Sequence, residues 1–347
     1  MSRSIKHFVE HDKIYIIFII KMPFKIIIND VGGPDKLELK EYSLENKKPQ
    51  PKEVRIKHTS IGVNFIDTYH RSGLYPIKTP SCLGLEAVGE IVGIGGDVQG
   101  FSVGDVVGYS APPLGAYCEL RDYPSEKLVK VPKEISENEA ASILLKGMTV
   151  EYLFNRTYKI KKGETFLFHA AAGGVGLVAC QWAKALGCHL IGTVGSDEKG
   201  DLARANGCEH VINYKKENVV KKVMSITGNR GVGVVYDGVG KDTFDISLDC
   251  LSDRGFFVSF GNASGMTPTT DLFKSFAPKN LYFTRPSLMV YNKTRKELDD
   301  SSGLLFEMII KKKIKTNLTK IYELKDVASA HKDLESRKTV GSLILKP

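Results

Sequence analysis

The six cysteines, at positions 82, 118, 180, 188, 208 and 250, are nowhere closer than eight residues apart. That spacing contains no CxxC, so it offers neither a zinc ribbon nor a thioredoxin-type redox pair, and a disulfide framework is out of keeping with a chain of 347 residues. Isolated cysteines of this kind serve mostly as small core hydrophobes, and a reducing setting, the cytoplasm, is the simplest one for them. Long apolar runs are lacking as well. Ile14-Tyr15-Ile16-Ile17-Phe18-Ile19-Ile20 is a run of seven residues between Lys13 and Lys21, too short to span a bilayer. Glu10 and Asp12 ahead of it, and the want of a small-residue cleavage site behind it, disfavour a signal peptide; those acids and the single Arg3 disfavour a transit peptide. There is no fixed-period repeat and no low-complexity segment.

What is present is the composition of a globular protein, with 42% hydrophobic and 26% charged residues, and a length that suggests two domains. Lys and Arg exceed Asp and Glu by 49 to 40, a net +9 that permits a polyanionic partner without requiring one. Residues 1–22, unlike the rest in texture, read as an N-terminal extension and carry +2 of that charge. The cluster Lys311-Lys312-Lys313-Ile314-Lys315 is short, interrupted by Ile314, and reads as a solvated helix end.

From residue 24 to about 145 the chain is a series of short β-rich runs punctuated by glycine: Lys25–Ile28, Val54–Lys57, Ala87–Val92, Val103–Val107 and Cys118–Leu120. Such strands suggest a compact barrel. Beyond Glu137 strands alternate with helices. Thr165–Phe168, His189–Thr193, Val211-Ile212, Val234–Asp237, Phe256–Phe260 and Leu281–Phe283 are six expected strands, and their alternation with helices predicts a parallel, doubly wound α/β sheet. A helix-like Ser302–Ile310 and a last strand, Ser342–Leu345, close the chain.

The sharpest local signal is Ala170-Ala171-Ala172-Gly173-Gly174-Val175-Gly176, which leaves a hydrophobic strand and enters an apolar helix. Gly173 lets the backbone approach a pyrophosphate, Gly176 lets helix pack closely on strand, and the helix N-terminus offers free N–H groups and a positive dipole end. A plain tight turn is the alternative; the strand-turn-helix context favours a dinucleotide. About twenty residues on, where an NAD site carries an acid, stands Thr193-Val194-Gly195-Ser196. Small residues there leave room for a 2′-phosphate, and Lys199 supplies charge to it, unless it is an ordinary surface lysine. The intervening Asp197 and Glu198 count against that reading, unless they serve as caps of the next helix.

These residues resemble the zinc-independent NADPH:quinone oxidoreductases, the zeta-crystallin-like branch of the medium-chain dehydrogenase/reductase superfamily. The resemblance rests on Ile61–Tyr69, Arg71–Pro76, Lys146–Val150, the loop at 170–176, Ile212–Tyr214, Ser259–Asn262 and Thr284–Ser287. It implies a GroES-like β-barrel domain over residues 23–147, completed by 285–347, and a Rossmann NADPH-binding domain over 148–284. It implies that Asn64, Tyr69 and Tyr75 form the catalytic side of the nicotinamide pocket, with Asn64 and Tyr69 also touching the cofactor. Tyr152, Gly173, Gly174, Val175 and Gly176 are expected along NADPH, and Gly195, Ser196, Lys199 and Tyr214 around its 2′-phosphate. Phe260, Gly261 and Asn262 are expected at its nicotinamide end, and Arg337 reaches it from the tail. Each has a plainer alternative: core aromatics for the tyrosines, a surface ion pair for Arg337. Gly238 departs from the pattern, since relatives often have a small polar residue there.

Zinc-dependent relatives have a cysteine where this chain has Asn64 and a Gly-His-Glu where it has Gly84-Leu85-Glu86, so no metal is expected. Without a Lewis acid the fitting substrate is an acceptor that is already electrophilic, a quinone or alternatively an enone or alkenal. An Asn64 amide or a tyrosine hydroxyl would stabilise the oxygen anion formed, with Tyr69, Tyr75 or solvent supplying the proton. The resemblance further implies a homodimer paired through the Rossmann sheet edge. Some zeta-crystallin-like proteins are associated with RNA, but no nucleic-acid motif is present here and nucleic acid is not expected as a partner.

Overall fold

The computed structural model describes residues 3–10, 13–20, 22–44 and 47–347. Of the expected extension, Arg3–Glu10 and Lys13–Ile20 pair antiparallel with each other as a two-stranded sheet, while Met1, Ser2, His11, Asp12 and Lys21 lie outside the described residues.

The β-rich part forms a seven-stranded sheet whose spine is the long strand Glu53–Val63. Glu86–Ile94 and Leu120–Pro124 pair with it, Val106–Ser110 and Val129–Lys130 continue from Glu86–Ile94, and the far side is closed by Ser342–Lys346 and Leu318–Glu323. The tail therefore supplies two strands of the first sheet. Phe24–Ile28, with Glu38–Glu41 and Ser81–Cys82, makes a smaller three-stranded sheet whose Ile26 and Ile28 are packed into the same core. Val103-Gly104-Asp105 is a turn into its strand rather than part of it, and Cys118 makes only a bridge to Lys25 before the strand begins at Leu120.

The second sheet has six strands in the order His210–Asn213, His189–Val194, Thr165–Phe168, Val232–Asp237, Leu251–Ser259 and Tyr282–Thr284. All neighbouring pairs are parallel. This is the doubly wound order in which the chain reverses direction between Thr165–Phe168 and Val232–Asp237, and the crevice beyond the strand ends at that point is where such sheets take ligands. The expected α/β architecture is the one found.

The helix Glu137–Tyr152 joins the two sheets. Ser136 caps it, its Oγ accepting the Glu139 N–H at 3.3 Å while Glu139 Oε2 accepts the Ser136 N–H at 3.0 Å. The helix packs on strands of the first sheet, on Gly174–Leu186 of the second domain and on Arg295–Ile310 of the tail, and the boundary expected after residue 147 falls inside it. All six cysteines are free thiols; five are buried and Cys82 is half-buried. The lysines at 311–313 and 315 are exposed, while Ile314 is buried in the core.

Candidate active site

Asn64 caps the helix Phe65–Ser72, and Asp67, three positions on, closes the capping box by accepting the Asn64 N–H at 2.9 Å. The cap fixes the Asn64 side chain, whose Nδ2 donates to Oε2 of Glu86 at 2.8 Å. One of its amide hydrogens is thus committed inside the protein, and only the other is left for a ligand. A turn later the Tyr69 hydroxyl accepts the backbone N–H of Asn262 at 3.1 Å, and among the described residues none accepts its proton. The Tyr75 ring stands edge-on to Tyr69 with centroids 5.2 Å apart. Arg285 donates to the Tyr75 hydroxyl at 2.8 Å. The Asn262 amide satisfies all its neighbours when Oδ1 faces Tyr75 (2.9 Å) and Arg285 (3.1 Å) and Nδ2 donates to the Gly261 carbonyl (2.9 Å). Burial pushes the Tyr69 hydroxyl well above the usual phenol range, so it is a neutral donor at physiological pH. Residues from both sides of the crevice, 193 positions apart in the case of Tyr69 and Asn262, therefore meet on one polar wall.

The glycine loop lies next to that wall. Ala170 leaves its strand with φ 57°, an uncommon conformation for a residue with a Cβ, and Gly173 caps the helix Gly174–Leu186. The first-turn N–H groups have no partner within the helix and carry its positive dipole end. A Cβ on Gly176 would strike the Ala170 carbonyl and lie 2.7 Å from the Ala171 backbone, so the close packing of helix on strand requires glycine. Val175 is half-buried and packs on the core beneath the loop. Gly173 bridges to Gly341, which brings the tail against the loop.

Beyond the second strand, Ser196 caps the helix Asp197–Ala205 by accepting the Lys199 N–H at 3.3 Å. Tyr214 is half exposed over Gly195, where a Cβ would come 2.6 Å from its hydroxyl. Lys199 Nζ donates to the carbonyls of Arg337 (2.5 Å) and Thr339 (3.2 Å). Its pKa is lowered, first by desolvation and then by Lys215. Arg337 has φ 58° and places its guanidinium 3.3 Å from Asp242. Asp197 is drawn off by Lys216 and by Asn213, whose Nδ2 donates to it at 2.8 Å. The acid therefore spends its charge on its own neighbours. Gly195, Ser196, Lys199, Tyr214 and Arg337 thus gather in one place with basic character.

Two expected residues sit less directly. Phe260 packs on Phe168 with centroids 5.5 Å apart and covers Gly238, where a Cβ would come 2.8 Å from its ring. Tyr152 is 2% exposed and stacks on Tyr291 at 4.7 Å, close enough to the wall for its hydroxyl to feel the charge of Arg285. Four residues of the site had no role assigned from the sequence: Asp67, Glu86, Lys146 and Arg285. Asp67, Lys146 and Arg285 fall inside the motif islands, but their partners lie 50, 60 and 210 residues away, and no local pattern encodes such contacts. A separate cleft of about 1100 Å³, lined by Lys52, Phe101, Lys130 and Arg295 among others, shares none of the residues above.

The side chains do not fit a zinc ion. Leu85 offers no ligand, and both Glu86 oxygens are engaged, Oε2 by Asn64 and Oε1 by the Leu145 N–H at 2.7 Å. Among the described residues no three His, Cys, Asp or Glu side chains are grouped to hold a metal. The glycine loop, by contrast, with close backbone approach and free N–H groups, fits a dinucleotide pyrophosphate.

The chain matches the alcohol dehydrogenase GroES-like domain over residues 50–162 and the zinc-binding dehydrogenase family over residues 174–301. It is 48% identical over 317 residues to a quinone oxidoreductase of Pseudomonas aeruginosa, covering 91% of this chain and 97% of that protein. It is 41% identical over 333 residues to a 2-haloacrylate reductase of a Burkholderia species, covering 94% of this chain and 99% of that one. The crystal structure of Escherichia coli quinone oxidoreductase complexed with NADPH superposes with a TM-score of 0.91 at 47% identity, over 93% of this chain and 100% of that one.

Proposed function

We infer that this chain, which belongs to the quinone oxidoreductase family of the medium-chain dehydrogenases/reductases, reduces quinones with NADPH and without a metal ion. The observation that carries this reading is the polar wall of Tyr69, Tyr75, Asn262 and Arg285, built from both sides of the crevice beside the glycine loop. When bound, NADPH supplies a hydride equivalent to an acceptor that is already electrophilic. The protein's part is to orient the two reactants and exclude water. The Tyr69 hydroxyl, held by the Asn262 N–H with its own proton uncommitted, is the donor to the acceptor oxygen. Tyr75 gives its proton to Asn262 Oδ1 and serves to hold Asn262 and Arg285 in place, so the Arg285 charge lies beside the developing anion. The remaining amide hydrogen of Asn64 can assist. At the other end Ser196, Lys199, Tyr214 and Arg337 suit a 2′-phosphate, with Lys199 and Arg337 exchanging their protein partners for it.

The working unit in this reading is a homodimer. Tyr282–Thr284 is an edge strand of the parallel sheet, and Tyr282 (54% exposed), Phe283 (45%) and the nearby Phe273 (80%) leave apolar surface uncovered beside it. The free thiols suit the cytoplasm, and no described helix is long and apolar enough to cross a membrane.

Steady-state assays with 1,4-benzoquinone, 9,10-phenanthrenequinone and 2-chloroacrylate, each with NADPH and NADH, test the reading. Quinones should be turned over with NADPH preferred. A kcat/KM for 2-chloroacrylate orders of magnitude above both quinones would replace the acceptor, as the likeness to a 2-haloacrylate reductase allows. Equal affinity for NADPH and NADH would remove the role given to Lys199 and Tyr214.

A further inference from the structure

A buried ammonium beside the glycine loop has no hydrogen-bond acceptor among the described residues. Lys146, on the bridging helix Glu137–Tyr152, is 5% exposed, and its Nζ has no hydrogen-bond partner among the described residues. Among the described residues its one ion-pair partner within 4 Å is Glu86, fully buried, with Oε2 at 3.7 Å, too long for a hydrogen bond. Glu86 does not close that gap because its oxygens already serve Asn64 and the Leu145 N–H. Leaving three N–H donors of a desolvated ammonium unused is costly, and native proteins rarely do so without a reason.

The reason lies in where the side chain runs. Its stem crosses the first residue of the cofactor helix so closely that a Cβ on Gly174 would come 2.9 Å from both Cδ and Cε of Lys146, and 3.0 Å from the Gly341 carbonyl. On its other side, through Glu86, stands Asn64 at the head of the helix that carries Tyr69. The ammonium thus lies between the free N–H groups of the helix Gly174–Leu186 and the tyrosine wall. It stands well apart in the chain from Ser196, Lys199, Tyr214 and Arg337, which gather at the other end of the crevice.

We propose that Lys146 is a cofactor-binding residue whose missing acceptor is an oxygen on the nicotinamide half of NADPH, a ribose hydroxyl or the phosphate that carries that ribose. Glu86 is its positioning residue: it compensates the ammonium in the ligand-free protein, aims it at the loop, and through Asn64 ties the cofactor contact to the helix of Tyr69. The inference rests on the NADPH reading above and deepens it.

Lys146→Met keeps the stem and removes the charge. Binding is measured by calorimetry with NADPH and with 2′,5′-ADP, which carries the adenosine, its 2′-phosphate and only the first bridging phosphate. The Kd for NADPH should rise about 10- to 100-fold, the cost of one hydrogen bond to a charged group, while that for 2′,5′-ADP stays within about twofold. Two further ligands separate the oxygen sources: a loss already seen with 2′-phospho-ADP identifies the second phosphate, and a loss seen only with 2′-phospho-ADP-ribose identifies the ribose. Unchanged NADPH affinity, or an equal loss for 2′,5′-ADP, overturns the proposal. Should Lys146→Met fail to fold, Glu86→Gln decides, since it should weaken NADPH severalfold and leave 2′,5′-ADP unaffected; no change for NADPH is again fatal. A wild-type chain that binds neither NADPH nor 2′,5′-ADP overturns the NADPH reading itself, and that result is distinct from a variant-specific loss.

Discussion

Asp67 carries a carboxyl into a place without water. Its Oδ2 takes the Asn64 N–H and the Tyr117 hydroxyl at 2.8 Å, and its Oδ1 has no partner. Burial pushes its pKa up to about 7, outweighing those hydrogen bonds; Glu86 adds to the rise and Lys146 opposes it. An unfolded aspartate titrates near ~3.9, so between about pH 4 and pH 7 the folded protein holds a proton that the unfolded chain has released. The stability this contributes is complete below about pH 4 and is lost as pH rises through about 7. Asp67→Asn keeps the acceptor oxygen and removes the charge. In urea unfolding at pH 5, 6, 7 and 8 the variant should gain on the wild type with each step, by on the order of 2 kcal/mol in all, and the difference should level off above pH 7. Curves that stay parallel across this range would show that Asp67 is ionised throughout. In the sequence Asp67 was simply one letter of the island Ile61–Tyr69. The pattern of that island marks Asn64 and Tyr69, but the partner that buries Asp67, Tyr117, is 50 residues away. The glycine loop was readable because its contacts are local; Lys146 and Arg285 were not, because their partners Glu86 and Tyr75 lie far away along the chain.

At the level of elements, the helix Phe65–Ser72 is clamped to the tail helix Val327–Glu335 by a directed chain of hydrogen bonds. Arg71, 3% exposed, donates to both Glu335 oxygens at 2.9 and 2.6 Å and to the Gly32 carbonyl at 3.0 Å. Its third contact is His331 Nδ1 at 3.1 Å. Burial pushes His331 down to about 3, so the ring is neutral; with Nδ1 accepting from Arg71, Nε2 carries the hydrogen and donates to the Tyr117 hydroxyl at 3.0 Å. Tyr117 then donates to Asp67. Glu335→Ala would leave the buried guanidinium without its counter-ion. Removing one partner of a fully buried pair costs about 3–5 kcal/mol, and because the Glu335 side chain is 35% exposed the expected loss in urea unfolding is about 1–3 kcal/mol. A loss below about 0.5 kcal/mol would mean that water substitutes for the carboxylate.

Long elements were only partly legible for the same reason. The strand Glu53–Val63 reads as a strand over Val54–Lys57 alone, because its second half places polar residues inside. Buried His58 lies 2.7 Å from the Cys118 carbonyl and 3.0 Å from the Tyr109 hydroxyl, so a polar letter occupies a core position. The helix Arg295–Ile310 was visible only from Ser302, since its charged first half is solvated; its start is set by the Thr294 capping box, in which Thr294 Oγ1 accepts the Glu297 N–H at 3.2 Å.

For the whole molecule, the tail closes one sheet and another segment leaves the second sheet open. Ser342–Lys346 returns to pair with the strand Glu53–Val63, and Leu318–Glu323 pairs with Ser342–Lys346, so the first sheet joins early and late segments of the chain; alternation alone does not reveal this, and family resemblance does. The second sheet keeps an edge at Tyr282–Thr284, whose outer backbone groups face away from its neighbour Leu251–Ser259. Tyr282 is stacked on Phe256 at 4.5 Å, and Phe283 packs edge-on to Phe276 at 5.8 Å. An exposed apolar edge invites pairing with a second copy across a two-fold axis, and antiparallel pairing of identical strands would make one continuous sheet. Under such symmetry a charge placed on this short edge appears on both strands of the seam, so Tyr282→Lys brings two ammonium groups near each other and desolvates both. Light scattering should give the dimer mass for the wild type and the monomer mass for the variant at the same concentration, with the weakening relieved in part by high salt. A monomeric wild type, or a variant as dimeric as the wild type, would place the dimer contact elsewhere or remove it. NADPH binding separates this from misfolding, because the glycine loop, Lys146 and Lys199 all lie within one chain, and a folded monomer should retain it.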